Sequence, residues 1–279
     1  GHVEYIHGGV SRNVVEDIAN IELRPTFVGI VDDSALGEDV VKKLKNHKVN
    51  TDYVMTMPGG MGTWLAVFDH NGDLAGSISQ RPNLMPILGL LEEKGDEIFA
   101  NADSVIVEVD MDKDIIKKVV ALAKQYNKKL YGVVSNMSIA VERRDFLKHF
   151  DCFICNQLEA GMLFMEDYAD KSPEELRDIL SKRVILGKIP AMIVTMGGNG
   201  AVYADVNGEK GICPPQRVRV KDTTGAGDAF CAGVASGLTY GKTLSEAVEI
   251  GSRLAASVIT SSENVCPRFL PEEFGITLD

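Results

Sequence analysis

Five short apolar runs separated by stretches of helical periodicity constrain the fold of this chain more than any other feature. Residues 27–31, 104–109, 129–134, 152–155 and 191–195 are rich in branched and aromatic side chains and show no polar alternation. Runs of this kind read as strands buried on both faces. Between them, Ile115, Ile116, Val119, Val120 and Ala123 repeat at the spacing of one helical face, predicting a helix over 115–125. A second helix is predicted from Pro173, with Ser172 as its N-cap. Strand and helix in alternation predict an α/β architecture: a mostly parallel sheet with helices on both faces. Ligands then belong at the carboxyl ends of the strands.

Composition narrows the function. A chain of 279 residues can build one large core, and a single domain over 1–279 is the expectation. A formal net charge of −11 argues against nucleic acid as partner, because such binding needs a basic face to displace counterions. No apolar run approaches the roughly 20 residues of a membrane span. The first residues, Gly1 to Tyr5, lack the basic and apolar regions of a secretory signal. Five scattered cysteines, an odd count, read as reduced thiols and predict a cytoplasmic protein. Cys152 and Cys155 have the spacing of a zinc or redox pair, but no second pair or histidine cluster stands nearby. Buried structural cysteines are the simpler reading.

The region 51–80 breaks the alternation. Residues 53–57, 63–69 and 74–78 are strand-like, and Asn71-Gly72 between two such runs is a hairpin signal. A small antiparallel sheet is predicted over about 50–80, with residues 2–8 as a further strand. An ordinary hairpin on the edge of the main sheet is the alternative.

Chemistry concentrates in Asp222-Thr223-Thr224-Gly225-Ala226-Gly227-Asp228-Ala229-Phe230. The Gly225-Ala226-Gly227 turn leaves backbone N–H groups uncovered, and the small apolar residues after it open a helix. Amides converging at a helix N-terminus favour a phosphate or a developing oxyanion. A carboxylate beside such a cradle repels a phosphate, so Asp228 suggests a proton acceptor for an attacking hydroxyl. A first-turn acid that answers the helix dipole is the competing reading.

This segment resembles the C-terminal signature of the ribokinase-like (PfkB) family of sugar and nucleoside kinases. The resemblance implies a three-layer α/β/α ribokinase-like sandwich whose small antiparallel sheet is a lid over the substrate, and a homodimer formed through that lid. It implies that Asp228 is the catalytic base and that Gly225, Ala226 and Gly227 form the anion hole. Asp222 and Thr224 fall where some members bind a monovalent cation such as K+.

Further motifs follow in the family's order. Gly8, Gly9 and Asn13 resemble the N-terminal substrate motif, in which paired glycines let backbone approach a sugar. The fuller stretch from His7 to Asn13 looks most like that of pseudouridine kinases. Residues 31–37 resemble Val-Gly-Asp-Asp-x-x-Gly, with Asp32 where the family has glycine's neighbour and Val31 in the usual glycine's place. Asn156 and Glu159 match Asn-x-x-Glu, implying a phosphate-side Asn and a Glu that organises Mg2+; Asn156 could equally cap the next helix. Thr195, Gly197 and Gly200 match a motif lining the ATP site, whereas neither a dinucleotide fingerprint nor a P-loop is present. Glu108 falls where some members present a substrate-contacting acid, or is a solvated strand end. Ser252 stands where some members carry an adenine-contacting Asn.

The resemblance implies transfer of phosphate from Mg-ATP to a sugar or nucleoside hydroxyl, pseudouridine among the candidates and ribose or fructose as alternatives. A non-catalytic sensing protein on the same fold is the contrasting reading. Family members begin with an earlier strand carrying a sugar-binding Asp, which has no counterpart here. The expectation is a sequence that lacks its start.

Overall fold

A computed structural model describes residues 5–68 and 74–278. Its central sheet runs in the order β10-β9-β8-β7-β6-β5, with β5 at Ser104–Glu108, β6 at Lys129–Val133, β7 at Cys152–Asn156, β8 at Ala191–Thr195, β9 at Ala201–Asp205 and β10 at Lys210–Cys213. Strands β5 to β8 are parallel, while β9 and β10 close one edge antiparallel. Two further strands, β1 (Thr26–Val31) and β2 (Asn50–Thr56), pair in parallel as a sheet of their own. The helices are α1 (Val10–Asn20), α2 (Ala35–Asn46), α3 (Pro86–Ala100), α4 (Lys113–Gln125), α5 (Met137–Ala140), α6 (Gln157–Phe164), α7 (Pro173–Gly187), α8 (Ala226–Thr239) and α9 (Leu244–Ile259).

The strands are buried on both faces, as their continuous apolarity requires. In β7, Phe153 and Cys155 join one core while Cys152 and Ile154 join the other; in β8, Met192 and Val194 alternate likewise with Ala191 and Ile193. The first core is completed by Ile115, Ile116, Val119 and Leu122 of α4 and by Leu176, Leu180 and Val184 of α7. The second is completed by Val14 of α1 and by residues of α8 and α9, among them Phe230, Val234, Ala247 and Val248. Two helical layers with a sheet between them give the α/β/α sandwich. Local signals agree with the packing: α7 begins at Pro173, and Ser172 with Glu175 forms a reciprocal capping box. All five cysteines are free and buried, Cys152 and Cys155 within β7.

The lid region departs from expectation in two ways. Residues 53–57 do not join an antiparallel sheet: all but Met57 lie in β2, whose register with β1 sets Tyr53 beside Val28 and Thr56 beside Val31. The helix α2 between β1 and β2 supplies the crossover that a parallel pair needs. Of residues 2–8, expected as a further strand, 5–8 form none and lead into α1, and 2–4 lie outside the described residues. What remains of the predicted sheet is one hairpin, β3 (Thr63–Phe68) against β4 (Leu74–Gln80), antiparallel. Its Asn71-Gly72 turn lies outside the described residues.

A cavity of about 600 Å³ separates the β1–β2 pair from β5. Thr26, Phe27 and Val28 line one side and Ser104 to Glu108 the other, with Ser236 of α8 among the walls.

Candidate active site

The turn before α8 has the conformation its glycines allow. Gly225 caps the helix with φ 80°, a left-handed value, and a Cβ there would lie 2.0 Å from the carbonyl oxygen of Asn264. At Gly227 an added Cβ would meet nothing within 4 Å, so the space over the turn is open. Asp222 accepts from the Thr224 amide at 2.8 Å, which holds its carboxyl below the usual range and fixes the approach to the helix.

Asp228 stands in the first turn of α8. Burial pushes its carboxyl up to about 6; the Asn13 amide and the Arg12 guanidinium pull it down, and Glu108 and Glu159 push it further up. Asn13, on α1, donates through Nδ2 to Asp228 Oδ2 at 2.6 Å. A carboxylate that is ionised near neutrality yet poorly hydrated is suited to accept a proton.

The N-terminal motif meets this acid through Asn13. Gly9 caps α1 with φ 100°, and its carbonyl accepts from the Asn13 amide at 2.9 Å. The Gly8 carbonyl accepts from Arg12 Nε at 2.9 Å. The Arg12 side chain is buried and turned toward the carbonyls of His7 and Gly8, with Nη1 2.7 Å from Glu16.

Other marked residues stand at the carboxyl ends of β5, β7 and β8. Glu108 closes β5 but is not a solvated terminus: it accepts from both the amide and the hydroxyl of Ser11 in α1, at 3.0 and 2.7 Å, and loss of hydration raises its carboxyl. Asn156 closes β7 and pairs in register with Thr195 at the end of β8. Asn156 does cap α6: its side chain accepts from the Glu159 amide at 2.9 Å, and Glu159 accepts from the Asn156 amide at 2.7 Å. The box points the Glu159 carboxyl at the strand ends, where burial raises it and Asp110 raises it further. Beyond Thr195, Gly197 and Gly200 take φ values of 55° and 86°, and a Cβ at Gly200 would lie 2.1 Å from the Cys213 carbonyl. Ser252 of α9 lies beside Cys213 and is partly buried.

Residues that sequence patterning passes over complete the surroundings. Asp110, fully buried, accepts from the Ser135 amide at 3.0 Å and from Arg81 at 2.7 Å, tying the exit of the β3–β4 hairpin to the end of β5. Asn264 donates to the His7 carbonyl at 2.9 Å and to Asn13 Oδ1 at 3.2 Å. Asp17 accepts from the Cys266 amide at 2.6 Å, and burial pushes its carboxyl up to about 8. None of these carries a spacing signal, since their partners are remote in sequence.

Asp17 yields a stability prediction. Its folded carboxyl binds its proton far more tightly than the unfolded chain, so stability is lost as pH rises from about 4 to about 8. Asp17→Asn keeps an acceptor for Cys266 and removes the titration. Its melting temperature is expected to exceed the wild type's at pH 9 and to approach it at pH 5; equal shifts at both values would refute the assignment.

A family model for pfkB family carbohydrate kinase matches residues 1–266. The chain belongs to the pfkB family of carbohydrate kinases. It is thus a kinase of the sugar and nucleoside class, a phosphotransferase. Guanosine-inosine kinase of Exiguobacterium acetylicum is 35% identical over 272 residues, covering 95% of this chain and 87% of that protein. Pseudouridine kinase of Escherichia coli is 23% identical, over 93% of this chain and 82% of the other. Among solved structures, Arabidopsis thaliana ribokinase, complexed with ribose and ATP, superposes with a TM-score of 0.80 at 18% identity. The match covers 98% of this chain and 88% of the ribokinase. This PfkB kinase therefore shares the ribokinase fold. No helix among the described residues is long and apolar enough to cross a membrane.

Proposed function

We propose that this PfkB kinase transfers the γ-phosphoryl group of ATP to a hydroxyl of a nucleoside, a purine ribonucleoside ahead of pseudouridine. The observation that carries the reading is Asp228: a poorly hydrated carboxylate, oriented by Asn13, in the first turn of a helix where a Cβ at the neighbouring Gly227 would meet nothing within 4 Å. The acceptor hydroxyl loses its proton to Asp228 as its oxygen attacks the γ-phosphorus. The bond from that phosphorus to the β–γ bridging oxygen breaks, and ADP leaves. Amides of Gly225, Ala226 and Gly227 stabilise the charge on the phosphoryl oxygens. Asn156, Thr195, Gly197, Gly200 and Thr224 form the nucleotide side; Gly8, Gly9, Asn13 and Glu108 form the acceptor side.

Magnesium fits the acidic rim. Glu108 and Glu159 raise the Asp228 carboxyl and are themselves raised by Asp110, a surplus of negative charge that a cation relieves. Among the described residues no three potential ligands form a closed cage. One carboxylate, with phosphate oxygens and waters, is how magnesium is usually held. Glu159 is the residue for it, and Asp222 with Thr224 is the place for K+. The ion, when bound, offsets charge on the phosphates.

The purine preference rests on the higher identity to the guanosine-inosine kinase than to the pseudouridine kinase. The His7 to Asn13 motif supports pseudouridine as the second reading. Trp64, Leu65, Val67 and Ile78 are exposed on the hairpin, which supports a homodimer joined through the lid. Five buried free thiols support a reducing compartment, the cytoplasm. The test is ADP release with guanosine, inosine, pseudouridine, ribose and fructose as acceptors. Turnover on a free sugar and on no nucleoside would overturn the nucleoside reading. Ligand-induced stabilisation without any turnover would instead mark a sensor.

A further inference from the structure

Asn264 touches the segment before α1, the Asn13 side chain and the Gly225 turn. Its side-chain Nδ2 donates to the His7 carbonyl, on the Gly8-Gly9 segment, at 2.9 Å, and to Asn13 Oδ1 at 3.2 Å. Its own backbone carbonyl packs against Gly225, closely enough that a Cβ there would lie 2.0 Å away. Arg12 Nη2 donates to the same two acceptors, the His7 carbonyl and Asn13 Oδ1. Two donors on Oδ1 leave the Asn13 amide one orientation, with Nδ2 toward Asp228.

The loop that carries Asn264 is itself sewn to α1. Cys266 donates its amide to Asp17, Asn20 Nδ2 donates to the Cys266 carbonyl at 2.7 Å, and Phe269 donates its amide to the Asn20 carbonyl at 2.8 Å. Asn264 is 8% exposed, so its amide has little water to exchange for these partners.

We infer that Asn264 is a positioning residue: it fixes the amide of Asn13 so that Asn13 donates to Asp228, and it holds the acceptor segment in register with the Gly225 turn. The inference rests on the reading of Asp228 as the base. In sequence Asn264 lies 251 positions from Asn13. Only the packing of the last loop onto α1 brings the two together.

The test is Asn264→Leu, of similar size and without hydrogen bonds, with Asn264→Ser as a smaller variant that retains a donor. With the preferred acceptor, kcat for Asn264→Leu is expected to fall about 10- to 100-fold while KM for ATP changes less than about twofold. Asn264→Ser is expected to recover part of the loss. Independently of turnover, a carboxyl-labelled NMR titration reads Asp228, the D228N variant supplying its assignment. The groups acting on this carboxyl include Asn13, Arg12, Glu108 and Glu159, and the Asp17 carboxyl interacts with it as well. Losing the aligned Asn13 donor moves its midpoint to higher pH, and the acid limb of kcat moves with it. An unchanged Asp228 midpoint in a folded Asn264→Leu protein would overturn the inference. So would a kcat loss matched by an equal loss of folded fraction. Should Leu prevent folding, the same titration on Asn264→Ser decides: a midpoint identical to wild type with lowered kcat counts against positioning. Near-normal turnover of Asp228→Asn, together with the expected midpoint shift in Asn264→Leu, would sink the reading of Asp228 as base and leave the positioning intact.

Discussion

Asp228→Asn is expected to lower turnover by about 10²- to 10⁴-fold, the usual worth of a general base, with ATP bound as in the wild type. The substitution preserves shape and an oxygen acceptor for Asn13 Nδ2, so α1 and α8 keep their connection. What it removes is the site for the proton. Stability separates this from damage. The wild-type carboxyl is raised to about 6, so its ionised form is disfavoured by folding, and stability falls as pH rises from about 4 to about 6. The amide carries no such penalty. Asp228→Asn should therefore melt no lower than the wild type at pH 8, even as its activity vanishes. Rates and ATP affinity, measured by ADP release and calorimetry, decide the matter: near-normal turnover would end the assignment of Asp228 as base. In the wild type, the rate should decline below about pH 6 as the carboxylate takes up its proton.

Gly225→Ala and Gly227→Ala should behave differently although two residues apart. At Gly225 the backbone holds φ 80°, and the added methyl would fall 2.0 Å from the Asn264 carbonyl oxygen. Left-handed strain alone costs about 1–2 kcal/mol, and relieving the overlap displaces the loop that orients Asn13. Its melting temperature should drop by at least about 2 °C, and activity with it. Gly227 has open space above it, so its alanine variant should fold normally. That methyl enters the cradle and weakens phosphoryl transfer instead. Calorimetric melting beside kcat tests the contrast; a Gly225→Ala protein as stable as the wild type would show that the turn yields.

The reading of 53–57 shows where pattern fails. A strand-like run beside a hairpin signal looks the same whether it pairs with its neighbour in sequence or with β1 across a helix; the partner is a tertiary choice. The strand existed as expected, and its sheet did not. Glu108 illustrates the same limit in the site. Its place at a strand end was legible, but its burial against Ser11 depends on how α1 packs over β5. Asp110 and Asn264 gave no signal at all, because one buried polar residue has no periodicity to reveal it, and neither did Arg81, whose partner lies 29 residues away.

From sequence alone came the elements whose cause is local: runs apolar on both faces, the Ser172 cap, the Gly225-Ala226-Gly227 turn and the acid after it. Each follows from sterics and hydrogen bonding within a few residues. Tertiary structure alone decided what surrounds that acid. Asn13, Asn264 and Gly225 meet only when α1, α8 and the last loop pack together, and the loss of water in that packing is what raises Asp228 to about 6.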